Sequence, residues 1–400
     1  MPSTNNPSST LDREGLIDFT RRLVGVNSVN RPSEGLGEAE AVELVIDQAR
    51  EFGWDCLIEE VQPGRPNVII EILGGPPGKT LLFEGHTDVV TEGDAANWSF
   101  DPFSGDLVDG RILGRGAADM KSGVAAMMFA TRAFELGGPF PGAIKLAILC
   151  DEEGMMIGVH DFVAKGHAEG VDAAIVCEPE GGEICTVQKG AIRLRVDLIG
   201  QMAHGAMPHQ GRNPLVAAAS LIEAMATLEH EIQDQYGEHE HLGFPYITPT
   251  HVAAGSLPQI NVIPSAGLVA LDIRTTPGID HGELKTRIAS AANEIAAATG
   301  VGIELTFPVD RPATETSLDD PIVQAVAGAH QAVLGEKAVY GGVPGTTDGT
   351  ILWRDAGLPV VVYGPGEKWI AHQADEYVEV DDIIRHAEVY VEAARRFLTC

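Results

Sequence analysis

The sequence predicts an α/β protein of two domains, a mixed sheet flanked by helices into which a smaller α+β unit is inserted. Three observations carry this. The chain has 400 residues, more than one ordinary core accommodates. Apolar runs of strand length alternate with amphipathic helical stretches over its first half. From about Gln188 the pattern changes to strands that alternate in polarity, and after Pro308 the first rhythm returns. The expected boundaries are residues 1–187 and 308–400 for the sheet domain and 188–307 for the insertion.

An amphipathic helix is expected over residues 10–25, where a Thr10 cap and early acids accompany Leu11, Leu16, Phe19 and Leu23. A second helix follows over 37–52. Strands are predicted at 67–73, 80–84, 143–150 and 173–177, with helices at 122–136 and 159–165 among them. In the insertion, a strand at 191–198 leads to a long helix that starts at Asn213 with Pro214 in its first turn. Strands at 248–255 and 268–274, a helix at 282–299 and a strand at 302–307 complete a βαββαβ order. The sheet domain resumes with helices at 321–334 and 349–356, an apolar strand at 359–363 and a closing helix at 381–398.

Composition excludes several function classes. Lys and Arg number 27 against 58 Asp and Glu, a net charge of −31 that repels phosphate backbones and anionic membrane surfaces. Neither nucleic acid nor a membrane is an expected partner. The first nine residues are polar and rich in Pro, Ser and Asn, which reads as a frayed tail rather than a signal peptide. No stretch approaches the roughly 18 consecutive apolar residues of a membrane span, so a cytoplasmic location is expected. Five cysteines, an odd number without a Cys-x-x-Cys pair, argue against a disulfide framework and a thiolate zinc site. They read mostly as buried small hydrophobes.

The chemistry concentrates at strand ends. His86 follows Leu81-Leu82-Phe83, Asp151-Glu152-Glu153 follows Ile148-Leu149-Cys150, Glu178 follows Ile175-Val176-Cys177, and His372 lies beyond Val360-Val361-Val362. In open α/β sheets the carboxyl ends of strands are where ligands bind. Asp88, two residues after His86, lies on the same side of an extended chain and is placed to hold the imidazole in one tautomer. Asp119 sits in the glycine-rich segment from Gly114 to Gly123 that opens a helix, where an Asp taken alone reads as an N-cap. Three adjacent carboxylates at residues 151–153 repel one another at a partly desolvated strand end, and a divalent cation relieves that repulsion.

Two histidines and three carboxylates from five segments, His86, Asp119, Glu153, Glu178 and His372, match the donors that two neighbouring zinc ions need. Glu152 is then left over as a general base, able to take a proton from a metal-bound water and pass it to a leaving nitrogen.

At these positions the chain resembles the co-catalytic zinc aminoacylases and carboxypeptidases, the family that includes acetylornithine deacetylase, succinyl-diaminopimelate desuccinylase and glutamate carboxypeptidase. The motifs are Gly85-His86-Thr87-Asp88-Val89-Val90, Asp151-Glu152-Glu153-Gly154, Glu178-Pro179 and Ala371-His372-Gln373-Ala374-Asp375-Glu376-Tyr377. The resemblance implies a zinc-peptidase-like catalytic domain and a ferredoxin-like lid and dimerisation domain. It implies two divalent ions, zinc expected and cobalt or manganese also accepted. One is held by His86 and Glu178 and the other by Glu153 and His372, with Asp119 bridging, Glu152 as base, Asp88 supporting His86 and a cis peptide after Asp119.

It further implies that His204, in Met202-Ala203-His204-Gly205, stabilises the oxyanion, often from the partner subunit, so a homodimer is expected. Asn261 and Arg274 match substrate-binding positions, and Gly345-Thr346 resembles a loop lining the pocket. Taken alone, His204 is a loop histidine and Arg274 a strand-end salt bridge.

The expected reaction is hydrolysis of the amide bond of an N-acyl amino acid, or a related small carboxylate-bearing amide, by a metal-bridging hydroxide. A dipeptidase or glutamate-type carboxypeptidase shares every catalytic residue and stays open as an alternative. So does a non-catalytic metal-binding protein, against which the intact Glu152 speaks. Met155 and Met156 stand where smaller polar residues are usual, so no single member's specificity transfers.

Overall fold

The computed structural model describes residues 10–31 and 34–399. The expected frayed tail and Cys400 lie outside the described residues. The chain divides into two compact units, one of them Val187–Glu315 with Gly342–Thr346 and the other the remainder.

In the first unit, strands run in the spatial order Cys56–Gln62, Arg65–Leu73, Ala143–Leu149, Thr80–His86, Ala173–Pro179 and Val360–Gly364. The last four are parallel to one another, and the first two join antiparallel at one edge. Parallel strands covered on both faces read as unbroken apolar runs, and Ala173–Pro179 and Val360–Gly364 are buried at every residue. One cover is the helix Ser122–Leu136, whose small and flexible Ala, Gly and Met side chains are buried on almost every side. Another is Val380–Thr399, amphipathic, with Ile383, Ala387, Tyr390 and Ala394 inward and the Tyr390 ring tilted against that of Phe83, centres 5.2 Å apart. Each large apolar side chain so buried is worth about 1.5–3 kcal/mol. Because the strands are parallel, their carboxyl ends line one edge, where His86 and Glu178 are placed and where Asp151 begins a turn.

The first helix, Arg13–Val24, starts later than expected and is capped by Asp12, whose carboxylate accepts from the Gly15 N–H at 3.0 Å. Thr10 instead donates to the Ala133 carbonyl at 2.8 Å, a distant contact that no local signal announces. The strand Cys56–Gln62, unexpected from sequence, is an edge strand whose acids and exposed Leu57 and Ile58 mask its periodicity. Also missed was a hairpin, Asp106–Val108 with Arg111–Leu113, although its Asp109-Gly110 turn, both residues at positive φ, is a hairpin signal.

The second unit has the βαββαβ order and the ferredoxin-like sheet. Its antiparallel strands lie in the order Tyr246–Ala254, Ala266–Thr275, Gly190–Ile199 and Gly302–Arg311. Ile192, Leu194, Val196 and Leu198 alternate inward, meeting Leu221 and Met225 of the helix Pro214–Tyr236 and Ile288 of the helix His281–Thr299. The last strand continues past Phe307, where Pro308 had suggested an end. The register shifts between Thr306 and Val309, and a proline is tolerated at such an irregularity on an edge strand.

Among the described residues no helix is long and apolar enough to cross a membrane. The four described cysteines are unpaired, and Cys150, Cys177 and Cys185 are buried, with burial pushing their thiols up.

Candidate metal centre

His86 closes the strand Thr80–His86 and is fully buried. Its Nδ1 donates to the Asp88 main-chain carbonyl at 2.9 Å. A carbonyl oxygen only accepts, so Nδ1 carries a proton and Nε2 is the nitrogen that faces the acids; burial opposes the charge on this imidazole, but Glu178, Asp119 and Asp88 outweigh it and hold its pKa well above the ordinary value. That Nε2 lies 3.2 Å from Glu178 Oε1, 3.3 Å from Asp119 Oδ1 and 3.9 Å from Glu152 Oε2. It has no hydrogen bond of acceptable geometry to any of them.

Asp88 meets this imidazole at two points. Its backbone carbonyl, rather than its side chain, makes the short contact to the imidazole, and the carboxylate stands 3.5 Å away. That carboxylate accepts from the N–H groups of Glu152 and Glu153, each at 3.1 Å. One residue therefore orients the imidazole and pins the acidic turn.

Asp119 offers one oxygen to each imidazole: Oδ1 to His86 and Oδ2 to His372 Nε2, at 3.3 and 3.1 Å. His372 Nε2 is also 2.9 Å from Glu153 Oε1. The Asp119–Met120 peptide is cis. Asp119 is held from behind by Glu376, whose Oε1 accepts from the N–H groups of Ala118 and Asp119 at 3.0 and 3.1 Å. Glu376 is buried and paired with buried Arg115, whose guanidinium lies 5.2 Å from the Trp98 ring centre. Sequence reasoning assigned Glu376 and Arg115 no role, although each lies inside a motif it singled out. Gly116 is required at its place, with φ of 84° and only 2.6 Å between an added Cβ and Val89.

Burial pushes the Glu178 carboxyl up to about 8, and the nearby Asp119 charge adds to it. Burial likewise holds Glu152 well above the usual carboxylate range against the opposing pull of His86, and the charges of Glu178 and Glu153 add to it. Burial also opposes the charge on Asp119, but the contact with His372 and the attraction of both imidazoles outweigh it and hold this carboxyl below its ordinary value. Hydrogen bonds to Asp119 and Glu153 raise His372 to about 11. The cluster carries more negative charge than its imidazoles balance, an excess that only protons or metal cations neutralise.

The donors fit a divalent metal. One oxygen or nitrogen atom each from His86, Glu152 and Glu178, and likewise from His86, Asp119 and Glu153, falls within 4.8 Å of the others. Imidazole nitrogen with carboxylate oxygen suits borderline divalent ions, and the buried His86 Nε2, which has no hydrogen-bond partner, is the atom such an ion would take in place of a proton.

The first unit thus gathers His86, Asp88, Asp119, Glu152, Glu153, Glu178 and His372. The other expected residues belong to the second unit. His204 is exposed, its Nδ1 accepting from the Ala206 N–H at 3.0 Å. Asn261 is exposed, and Thr346, next to Gly345, accepts from Arg311 at 3.3 Å. Arg274 makes a two-point pair with Asp272 at 2.7 and 3.1 Å, the simple strand salt bridge that was its alternative reading.

The sequence profile of peptidase family M20/M25/M40 matches residues 82–396. Succinyl-diaminopimelate desuccinylase of Cereibacter sphaeroides is 33% identical over 392 residues, covering 95% of this chain and 98% of that protein. The M20 metallo-carboxypeptidase Sso-CP2 from Sulfolobus solfataricus has the same fold, with a TM-score of 0.76 at 19% identity over 96% of this chain and 98% of the other. A Bacillus subtilis protein described as a dinuclear metal-binding peptidase of family M20 gives 0.71 at 18% identity over 96% and 97%. The matched profile begins in the strand that carries His86 and ends in the closing helix, so it spans every residue of the candidate metal centre. The chain belongs to peptidase family M20/M25/M40 and is a metallohydrolase.

Proposed function

We propose that the chain is a di-zinc amidohydrolase that cleaves the amide bond of an N-acyl amino acid or a related carboxylate-bearing amide. The observation that carries this is the placement of Asp119 between two imidazoles, with Glu178 beside His86 and Glu153 beside His372. His86 and Glu178 would hold one ion, Glu153 and His372 the other, and Asp119 both. Ions bound there would lower the pKa of a water to about 7 and polarise the scissile carbonyl.

Of the two acids of the turn outside that ligand set, Asp151 faces Arg65 and Glu152 faces the cluster, 3.9 Å from His86 Nε2, and Glu152 is the base. Its carboxylate takes a proton from the attacking water and delivers it to the leaving nitrogen, so that a C–O bond forms, the C–N bond breaks and the amine departs neutral. His204 supplies the contact to the oxyanion and Arg274 the grip on the substrate carboxylate, with Asn261, Gly345 and Thr346 as further substrate contacts. These five roles rest on the family resemblance. The name of the Cereibacter sphaeroides relative supports an N-succinyl amide as one substrate to test.

A homodimer formed through the second unit is part of the same reading. It is supported by the exposed edge strand Tyr246–Ala254 and by Leu257 and Ile260, 90% and 87% exposed. A cytoplasmic location is supported by the unpaired state of the four described cysteines.

The test is turnover of N-acetyl and N-succinyl amino acids and of dipeptides by zinc-loaded protein, before and after chelation. Cleavage of the N-acyl compounds, abolished by chelation and restored by zinc, is expected. Cleavage of dipeptides alone would replace the deacylase reading with a peptidase, and no turnover of any amide by metal-replete protein would overturn both.

A further inference from the structure

We infer that a buried network of Glu38, Arg65 and Asp151 positions Glu152, with Arg65 as the residue on which the placement depends; this rests on Glu152 acting as the base. Arg65 opens the strand Arg65–Leu73 and is buried, as are Glu38 and Asp151. Glu38 precedes the helix Ala39–Phe52 without using its side chain as a cap. Its carboxylate turns instead to Arg65, accepting from Nη2 at 2.5 Å and from Nε at 3.0 Å. The same Nη2 lies 2.8 Å from Asp151 Oδ1.

Every other contact of this group leads to the turn that bears Glu152. Glu38 accepts from the Asp151 N–H at 3.1 Å. Asn30 donates to Asp151 Oδ1 at 2.7 Å, and Asp151 Oδ2 accepts from the N–H groups of Met155 and Ile157 at 3.0 and 3.4 Å. Asp88 then takes the N–H groups of Glu152 and Glu153. Four oxygens of three buried carboxylates thus accept from the main chain of residues 151–157.

The turn needs this support. Asp151 and Met156 adopt φ of 67° and 59°, a left-handed conformation that costs residues with a side chain about 1–3 kcal/mol each when nothing offsets it. A buried ion pair serving only stability is often replaceable by apolar groups. Here the fork of one guanidinium sets the distance between a helix start and the acidic turn, a two-carboxylate geometry that a lysine ammonium does not reproduce.

The experiment is Arg65→Lys in the metal-loaded protein, with Asn30→Ala as the milder companion. Arg65→Lys is expected to lower kcat by about 10–100-fold, the scale of a misplacement near 1 Å, while KM and bound metal stay at wild-type values. Asn30→Ala acts in the same direction by about 3–10-fold and carries the test if Arg65→Lys does not fold. In a Glu152→Gln background Arg65→Lys should add no further loss, because the one acts through the other. Wild-type kcat in a folded variant, or losses that multiply in the double variant, would overturn the inference.

Amide exchange gives a readout that needs no substrate. Protection across residues 151–157 should fall at least about tenfold in Arg65→Lys, with the strand Ala143–Leu149 unaffected. Unchanged protection overturns the network. Lost protection in a protein that hydrolyses no amide keeps the network and overturns the role of Glu152.

Discussion

The first unit buries most of the acids and one of the two histidines of its candidate site, His372 being exposed, and the second leaves its candidate site residues at or near the surface. His86, Asp88, Glu152, Glu178 and Glu376 are all buried, whereas His204 and Asn261 are exposed and Arg274 is half-buried against Asp272. The cause is the kind of sheet. Parallel strands covered on both faces leave only their ends for polar groups, and groups gathered there must be paired or neutralised. The second unit's antiparallel sheet packs its helices on one face, so its polar residues can be solvated where they stand. A buried charge is therefore evidence of a site in the first unit, while in the second the same residue types are ordinary surface until a ligand is shown to meet them.

Four outcomes sharpen or break this contrast. The largest is Glu152→Ala, expected to lower kcat by about 10²–10⁴-fold while metal analysis still finds two ions per chain. Unchanged turnover in metal-replete protein would sink the base assignment. Next is His204→Ala, expected to cost about 10²–10³-fold in kcat with KM little changed, in a protein that light scattering finds dimeric. An active monomer at the full wild-type rate would remove that role and leave the contrast between the units absolute.

Arg274→Met should lower kcat/KM for carboxylate-bearing amides by about 10–100-fold and spare amides without the carboxylate. Equal effects on both substrate types would leave Arg274 as the surface partner of Asp272.

The smallest effect concerns Asp310, which accepts from His281 Nδ1 at 2.5 Å and pairs with Lys285. Burial pushes its carboxyl up, but the hydrogen bonds from Lys285 and His281 outweigh burial and hold it below its ordinary value. A lowered folded-state value stabilises the fold above the ordinary carboxylate range, and that contribution is lost as pH falls through the lowered value. Asp310→Asn should therefore cost less than about 1 kcal/mol near neutral pH, with the gap to wild type closing in acid by thermal melts. A gap that widened in acid would contradict the assigned sign.

Much of the first unit was legible because its strands are uniform apolar runs ending abruptly in His86, Asp151 and Glu178. The helices Ser122–Leu136 and Pro321–Leu334 carry their stop signals locally, in Gly137 and Gly335. The edge strand Cys56–Gln62 was not legible, since acids on an exposed strand leave no alternation to read. Arg65 and Glu38 escaped for another reason. They are 27 residues apart, and neither adjoins the turn they hold.

By itself the sequence determined the alternation of elements, the residue types at the strand ends and the family to which they belong, because each of these is written over a few neighbouring positions. Only the tertiary structure decided which oxygen of Asp119 faces which imidazole, that the Asp88 carbonyl sets the His86 tautomer, and that Arg65 stands behind Asp151. Those are distances of 2.8–3.3 Å between atoms mostly far apart in the chain. They exist only once the sheet has brought its strand ends to a single edge and packing has excluded the water that would otherwise have solvated each charge on its own.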